Sequence, residues 1–391
     1  MSNAVLALNA GSSSLKFALF TDAKDAFLRG QIEGIDQSPR ISITDGTRGE
    51  PPDVSAQDYD GVLRTLLNWL NTHLEGNAIG AVGHRIVHGG LRFREPVLID
   101  PSVLGALDEL VKLAPLHQPH SLAAIRAIAR AAPSLSQVGC FDTAFHATMP
   151  AVATRIAVPE AAGGAALRRY GFHGLSYEYL SGRLRVLAPD LAVGRVIAAH
   201  LGSGASLCAL LGGCSVETTM GFSALDGLVM ATRPGALDPG AVLYLQQNCG
   251  MTAEQVESLL YHHSGLLGVS GISGDMRELA ASAQPGAREA IELFNYRLAG
   301  EVARLTAALG GLDGLVFTGG IGEHDMATRS EACRRLGWLG VVLDEAANRR
   351  GAGRISAAGS GVEVWVIPTD EERMIATHVA AVVPRTGFEP V

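Results

Sequence analysis

Short apolar runs, each cut off by glycine or serine, alternate along this chain with longer stretches whose apolar positions recur every three or four residues. Val5–Leu8, then Asn9-Ala-Gly-Ser-Ser-Ser14, then Leu15–Phe20 predicts strand, turn, strand at the start of a domain. Val62–Leu74 has helical spacing, and Ala81–Val87 is a β-branched run that ends in Gly89-Gly90. Leu104–Leu113 and Ala123–Ala132 predict helices, and Val138–Phe141 predicts a strand ending at Asp142. The clearest helix is Ala290–Leu309, with Ile291, Phe294, Leu298, Val302, Leu305 and Leu309 on one stripe and Gly310-Gly311 as its stop. Leu315–Thr318 predicts a buried strand running into Gly319-Gly-Ile-Gly322. Val362–Ile367 predicts another, broken by Pro368, and a helix begins at Thr369 or Asp370 and runs through Val379. Alternating strands and helices make an α/β protein. Pro384–Val391 reads as a loose tail.

The opening pattern returns at mid-chain. Val196–Ala199 leads into His200-Leu-Gly-Ser-Gly-Ala and then Ser206–Leu211. With Val5 set on Val196, Asn9 falls on His200, Gly11 on Gly202, Ser12 on Ser203 and Ala18-Leu19 on Ala209-Leu210, which suggests a duplicated domain. The length, 391 residues, suits two domains, and 47% hydrophobic content supplies both with cores.

A net charge of −8, with no basic block, removes the electrostatic signature of a nucleic-acid or anionic-membrane partner. Five cysteines, an odd number with no Cys-x-x-Cys, fit neither a disulfide framework nor a zinc site. No apolar run reaches the roughly 18 residues of a membrane span. A soluble cytoplasmic protein is expected.

Asn9–Lys16 is either a plain hairpin turn or a concave anion site lined by backbone N–H groups and hydroxyls. Three serines and a lysine favour phosphate, although no Gly-Lys-Ser/Thr of a Walker A loop occurs. Gly202-Ser203-Gly204 after His200 has the same character. His84 and His88, four apart, would suit zinc on a helix, but the β-branched setting argues for a strand end with both on one face. Arg85 there needs an anion if it is buried. Asp142 at a strand end is a turn residue or a catalytic group. His173 sits in an aromatic cluster between glycines, and Arg233 is a second candidate cation in a loop. Gly319-Gly-Ile-Gly322 could let backbone approach a nucleotide. Glu371 and Glu372 serve a helix dipole or a hydrated Mg²⁺. Phosphoryl transfer is the favoured chemistry.

Leu8-Asn9-Ala-Gly-Ser-Ser-Ser-Leu-Lys16 and Val82-Gly-His-Arg85-Ile-Val-His-Gly-Gly90 together resemble the two signature segments of the acetate kinase family. The resemblance continues in family order through Ala114-Pro-Leu-His117, Phe141-Asp142-Thr-Ala-Phe-His146, Tyr170-Gly-Phe-His173-Gly, His200-Leu-Gly, Thr232-Arg233-Pro-Gly, Ser273-Gly-Asp275-Met-Arg277, Phe317-Thr-Gly-Gly-Ile-Gly-Glu323 and Pro368-Thr-Asp-Glu-Glu372. It implies the acetate and sugar kinase, Hsp70 and actin superfamily: an α/β, duplicated ribonuclease-H-like fold of two domains with the active site in the interdomain cleft. The implied domains are 1–146 plus 373–391, and 147–372, the second binding nucleotide and forming a homodimer.

The implied reaction is reversible transfer of the ATP γ-phosphoryl to a short-chain carboxylate, giving an acyl phosphate and ADP. By the resemblance, Arg85 and Arg233 clamp the carboxylate and the transferring group, and His173 hydrogen-bonds it in the transition state. Asn9, Ser12, Ser14, Lys16, His117, His200, Gly202, Ser203 and Gly204 line the phosphates. Asp275, Arg277, Gly319, Gly320, Ile321 and Gly322 meet the nucleotide. Asn9, Asp142 and Glu371 serve Mg²⁺, with Mn²⁺ as an alternative, and Asp142 also orients substrate. Val87, Leu116, Phe172 and Ala224 line the pocket for the methyl group. The chain departs from the family pattern at Ser203, Ala236, His324 and Asp370. It departs also at Ala224, where proline is usual, and the lost ring carbons should widen the pocket enough to admit propionate beside acetate.

Overall fold

The computed structural model describes residues 3–11, 14–21, 26–35, 37–45, 50–54, 58–74 and 78–383. Ser12 and the Pro384–Val391 tail lie outside them. The chain divides into two compact units, residues 1–145 with 370–391, and residues 146–369. Among the described residues no helix is long and apolar enough to cross a membrane.

The first unit is built on strands β1 (Asn3–Ala10), β2 (Ser14–Phe20), β3 (Ala26–Glu33), β4 (Arg40–Asp45), β5 (Ala78–Ile86), β6 (Val97–Leu98) and β7 (Ser136–Phe141). They lie in the order β4-β3-β2-β1-β5-β7-β6. β4 to β1 run antiparallel to one another, and β1, β5 and β7 are parallel. Both faces are covered, so β1 reads as a continuous apolar run. Helices Tyr59–His73 and Gln118–Ala131 pack on one another and the latter on β1 and β5, while helix Glu371–Val382 packs on β1, β2, β5 and β7. Gly83 makes the latter contact: a Cβ there would lie 2.3 Å from Ile375 Cγ2 and 2.6 Å from Val379 Cγ2.

The second unit repeats the plan. Its strands are β8 (Arg195–Leu201), β9 (Ala205–Leu211), β10 (Cys214–Thr218), β11 (Gly314–Thr318), β12 (Gly353–Arg354) and β13 (Glu363–Val366), in the order β10-β9-β8-β11-β13-β12. β8 pairs antiparallel with β9 and parallel with β11, as β1 does with β2 and β5. The mid-chain echo is therefore a duplicated sheet.

The register corrects one detail of that echo. Ala7 pairs with Ala18, and its counterpart Ala198 pairs with Cys208, so Ala18 corresponds to Cys208 and not to Ala209. The cause is the turn: Gly11 to Ser14 separate the paired residues Ala10 and Leu15, whereas Gly202 to Gly204 separate Leu201 and Ala205. One residue fewer shifts the whole return strand.

Two further expectations change in the structure. The helix expected at Leu104–Leu113 begins at Pro101, capped by Asp100, and finishes as a 3₁₀ turn, Leu110–Leu113. β5 ends at Ile86, so His84 lies on the strand and His88 in the loop beyond it. The glycine-rich segment after β11 forms a short helix, Gly319–His324, with Gly319 at φ +76°.

Candidate active site

β5 and β7 are neighbours, with Arg85 opposite Cys140, so Asp142 follows β7 beside the arginine. Arg85 donates from Nε at 2.9 Å and Nη2 at 2.5 Å to Asp142 Oδ2, and from Nη1 at 3.0 Å to Asn9 Oδ1. Asn9, near the end of β1, donates from Nδ2 to Glu371 Oε2 at 2.9 Å and Glu372 Oε1 at 3.3 Å. Its amide orientation follows from these neighbours, oxygen toward the cation and nitrogen toward the carboxylates. The amide is thus committed as a bridge between arginine and glutamates. Glu371 and Glu372 come from the first turn of their helix, capped by Asp370, which Arg29 holds with a bidentate pair.

Asp142 is 1% exposed and Arg85 21%. Burial works against the Arg85 charge, but Asp142 and Glu371 outweigh it and hold the guanidinium above its ordinary value. Burial pushes the Asp142 carboxyl up, with Arg85 opposing. Burial and the neighbouring Glu371 charge also push Glu372 up, with Lys16 opposing. Lys16 sits on β2 opposite Asn9. Ser14 closes the turn through its carbonyl, which accepts from Gly11 N at 2.7 Å.

The residues of this cluster fit a divalent cation. Among the described residues, Asp142 Oδ1 is buried without a hydrogen-bond partner. Mg²⁺ characteristically takes one or two carboxylates together with waters and substrate phosphates. Asp142 and Glu371 supply such a set, and no cage of three or more His, Cys, Asp or Glu occurs among the described residues.

The second unit gathers its own set. His173 precedes helix Gly174–Leu187 with φ +59°, the left-handed region, and among the described residues no other non-glycine has a positive φ. Such strain persists where surrounding contacts hold it and clusters at functional sites. His146 supplies one such contact, its Nε2 donating to Phe172 O at 2.9 Å. The His173 ring stacks on His200 at 4.3 Å, and its Nδ1 lies 2.9 Å from Ser206 Oγ. A Cβ on Gly204 would lie 2.9 Å from Arg233 Nη2 and 3.4 Å from His173 Nε2, so the glycine admits both groups to its backbone. Arg233 donates from Nη1 to Ala224 O at 2.8 Å, and Ser203 O accepts from Ala231 N at 3.1 Å. His200 Nδ1 lies 2.9 Å from Ser176 Oγ, which lies 2.8 Å from Thr369 Oγ1.

Gly319, Gly320, Ile321 and Gly322 form the start of the short helix after β11. Glu323 Oε1 accepts from Gly319 N at 2.8 Å and Thr369 N at 3.1 Å, tying the start of this helix to the segment after β13. A Cβ on Gly320 would meet nothing within 4 Å. Asp275 and Arg277 engage each other at 2.6 Å, and the Arg277 side chain is 90% exposed. His117 stands just before helix Gln118–Ala131. Val87 and Phe172 are buried and Leu116 is half-buried. Sequence reasoning missed Arg29, Ser176, Tyr177, Ser206 and Thr369. Each is an ordinary strand, helix or loop residue by pattern, and only tertiary pairing brings it to these clusters.

The chain is 53% identical over 390 residues to an acetate kinase of Rhodopseudomonas palustris (strain TIE-1), covering 97% of this chain and 98% of the relative. A crystal structure of a propionate kinase from Francisella tularensis subsp. tularensis SCHU S4 superposes with TM-score 0.91 at 37% identity, over 97% of this chain and 100% of that one. Porphyromonas gingivalis acetate kinase superposes with TM-score 0.85 at 35% identity, over 98% and 100%. The sequence model of the acetokinase family matches residues 4–377. With nearly its whole length matched, this chain belongs to the acetokinase family.

Proposed function

We propose that this protein is an ATP-dependent acetate kinase that reversibly transfers the γ-phosphoryl group to acetate, yielding acetyl phosphate and ADP. The observation that carries this reading is the buried Arg85–Asp142–Asn9–Glu371 cluster, in a chain 53% identical to a named acetate kinase. Acetate and phosphate are both anions, so their encounter needs fixed positive charge and in-line positioning. Arg85, held on two sides by Asp142 and Asn9, presents such a charge without reorganising. Its planar fork suits carboxylate or phosphoryl oxygens. Arg233, anchored by the Ala224 carbonyl, and His173 supply donors beside Gly204 for the oxygens that gain charge in the transition state. Acetate is already ionised at neutral pH, so no strong general base is required. Asp142 and Glu371 would hold Mg²⁺, with Mn²⁺ as an alternative, and the cation would neutralise phosphate charge. His117, His200, Ser14 and Lys16 would add polar contacts to the phosphates, and Asp275, Arg277 and Gly319–Gly322 would meet the nucleotide.

We assign the first unit, residues 1–145 with 370–391, to an N-terminal actin-like domain, and the second, residues 146–369, to nucleotide binding and homodimer formation. Helix Pro239–Gln247 supports the last role. It is largely apolar and has no buried residue, with Leu243 51% and Tyr244 60% exposed. Propionate is a second substrate, on the strength of Ala224 where the family has proline.

The test is acyl phosphate formation by purified protein with ATP and Mg²⁺, trapped by hydroxylamine, across formate, acetate, propionate and butyrate. Product with acetate above the other acids is expected. No product with any acid, while ATP still binds, would refute the reading in favour of a non-catalytic nucleotide-binding protein.

A further inference from the structure

One turn into the helix that His173 opens stands Tyr177, fully buried, and across from it on β9 stands Ser206, also fully buried. Tyr177 Oη lies 2.5 Å from Ser206 Oγ, and Ser206 Oγ lies 2.9 Å from His173 Nδ1. Burial pushes the phenol well above its ordinary value, so Tyr177 keeps its proton. A buried O–H needs an acceptor, and among the described contacts of Tyr177 that acceptor is Ser206 Oγ. Ser206 has one hydrogen of its own. Having accepted from Tyr177, it sends that hydrogen to its remaining partner, His173 Nδ1. A ring nitrogen that accepts is unprotonated, so the neutral imidazole of His173 carries its proton on Nε2. Nε2 is the atom that faces Gly204 beside Arg233 Nη2.

We propose that Tyr177 and Ser206 are positioning residues, a hydroxyl relay that fixes His173 in its Nε2–H tautomer and aims that donor, with Arg233, at the transferring phosphoryl group. The inference rests on the phosphotransferase reading for its last clause only. The grip at Nδ1 adds to the contacts that hold the left-handed backbone of His173 in place. Neither residue touches the substrate in this scheme. Each acts through the imidazole.

The tautomer is read directly from the ¹⁵N shifts of the His173 ring in the wild-type protein, assigned by comparison with His173→Ala. The expected result is a pyridine-type, hydrogen-bonded Nδ1 and a pyrrole-type Nε2; a protonated Nδ1 overturns the proposal. This measurement needs no turnover. A protein that makes no acyl phosphate but shows the expected shifts sinks the enzyme reading and leaves the relay standing. Ser206→Ala should lower kcat by roughly ten- to a hundredfold, a part of the ~10²–10³ lost with a whole oxyanion donor, with the KM values for acid and nucleotide little changed. Tyr177→Phe, which removes only the hydroxyl, should lower it less. In a His173→Ala background both substitutions should change kcat by less than about twofold, since their effect passes through the ring. Equal losses in both backgrounds would make them general packing residues and refute the relay.

Discussion

Replacing Gly83 by alanine should damage both stability and turnover through one displaced helix. The new Cβ would sit 2.3 Å from Ile375 Cγ2 and 2.6 Å from Val379 Cγ2. Both neighbours are fully buried and β-branched, so their methyls cannot swing to another rotamer within a helix. Carbon contacts relax near 3.5–4.0 Å, so helix Glu371–Val382 must retreat from β5 by about 1.2–1.7 Å. Overpacking of this kind costs about 1–3 kcal/mol. The same helix carries Glu371, whose carboxylate meets Asn9 at 2.9 Å. A misplacement of ~1 Å at a positioned group can cost ~10²-fold in rate. Urea unfolding read alongside hydroxylamine-trapped acetyl phosphate should therefore show a lower midpoint and a kcat reduced by roughly ten- to a hundredfold. Ile375→Ala with Val379→Ala removes the clashing methyls, and in that background Gly83→Ala should cost little more. Wild-type midpoint and wild-type rate in the single variant would refute the packing argument.

Arg85→Ala and Arg233→Ala should each lose at least about 2.7 kcal/mol of transition-state stabilisation, read from kcat/KM; near wild-type turnover in either would remove that arginine from the mechanism. Ala224→Pro should lower the ratio of kcat/KM for propionate over acetate, by the about 1–3 kcal/mol that one methylene commands, and an unchanged ratio would sink the pocket argument. Asp142→Asn should raise the Mg²⁺ concentration needed for half-maximal rate, because Oδ1 loses its charge; an unchanged requirement would place the cation elsewhere. Burial pushes His84, His88 and His146 down to about 4 from 6.5. Their folded values lie below the unfolded ones, so this stability is whole above about pH 6.5 and is lost as pH falls toward 4, by roughly 1.4 kcal/mol per pH unit for each. Urea midpoints at pH 7.5 and 5 should diverge, and less so in His84→Gln; equal midpoints would contradict the buried, neutral rings.

The strands were the most legible part of this sequence. Buried on both faces, they leave continuous apolar runs, and Val138–Phe141 and Leu315–Thr318 lie within a residue or two of β7 and β11. Helix starts were less so. Gln118–Ala131 opens on Gln118-Pro119-His120, a first turn that carries no apolar stripe, and its beginning is five residues ahead of the apolar signal. Arg85 and Asp142 stood out as charges at the ends of apolar runs, but that β5 and β7 are neighbours is a fact of sheet order, invisible along the chain. Ser206 is one polar residue inside an apolar strand, and Tyr177 one aromatic in a helix. Their partnership with His173 exists only once β9 and the helix are brought face to face.

Helix Glu371–Val382 belongs to the first unit yet follows all of the second in the chain. During synthesis, residues 146–369 can therefore complete their sheet while the first sheet still lacks the cover over Gly83 and its neighbours. Until more than two hundred further residues have emerged, that apolar face stays open, a state that invites chaperone capture or aggregation. A premature stop at the end of the second unit, ahead of Glu371, would strip Glu371 from Asn9 and uncover β5 at once. Damage to the 3′ end of the message would thus fall on the half of the protein encoded first.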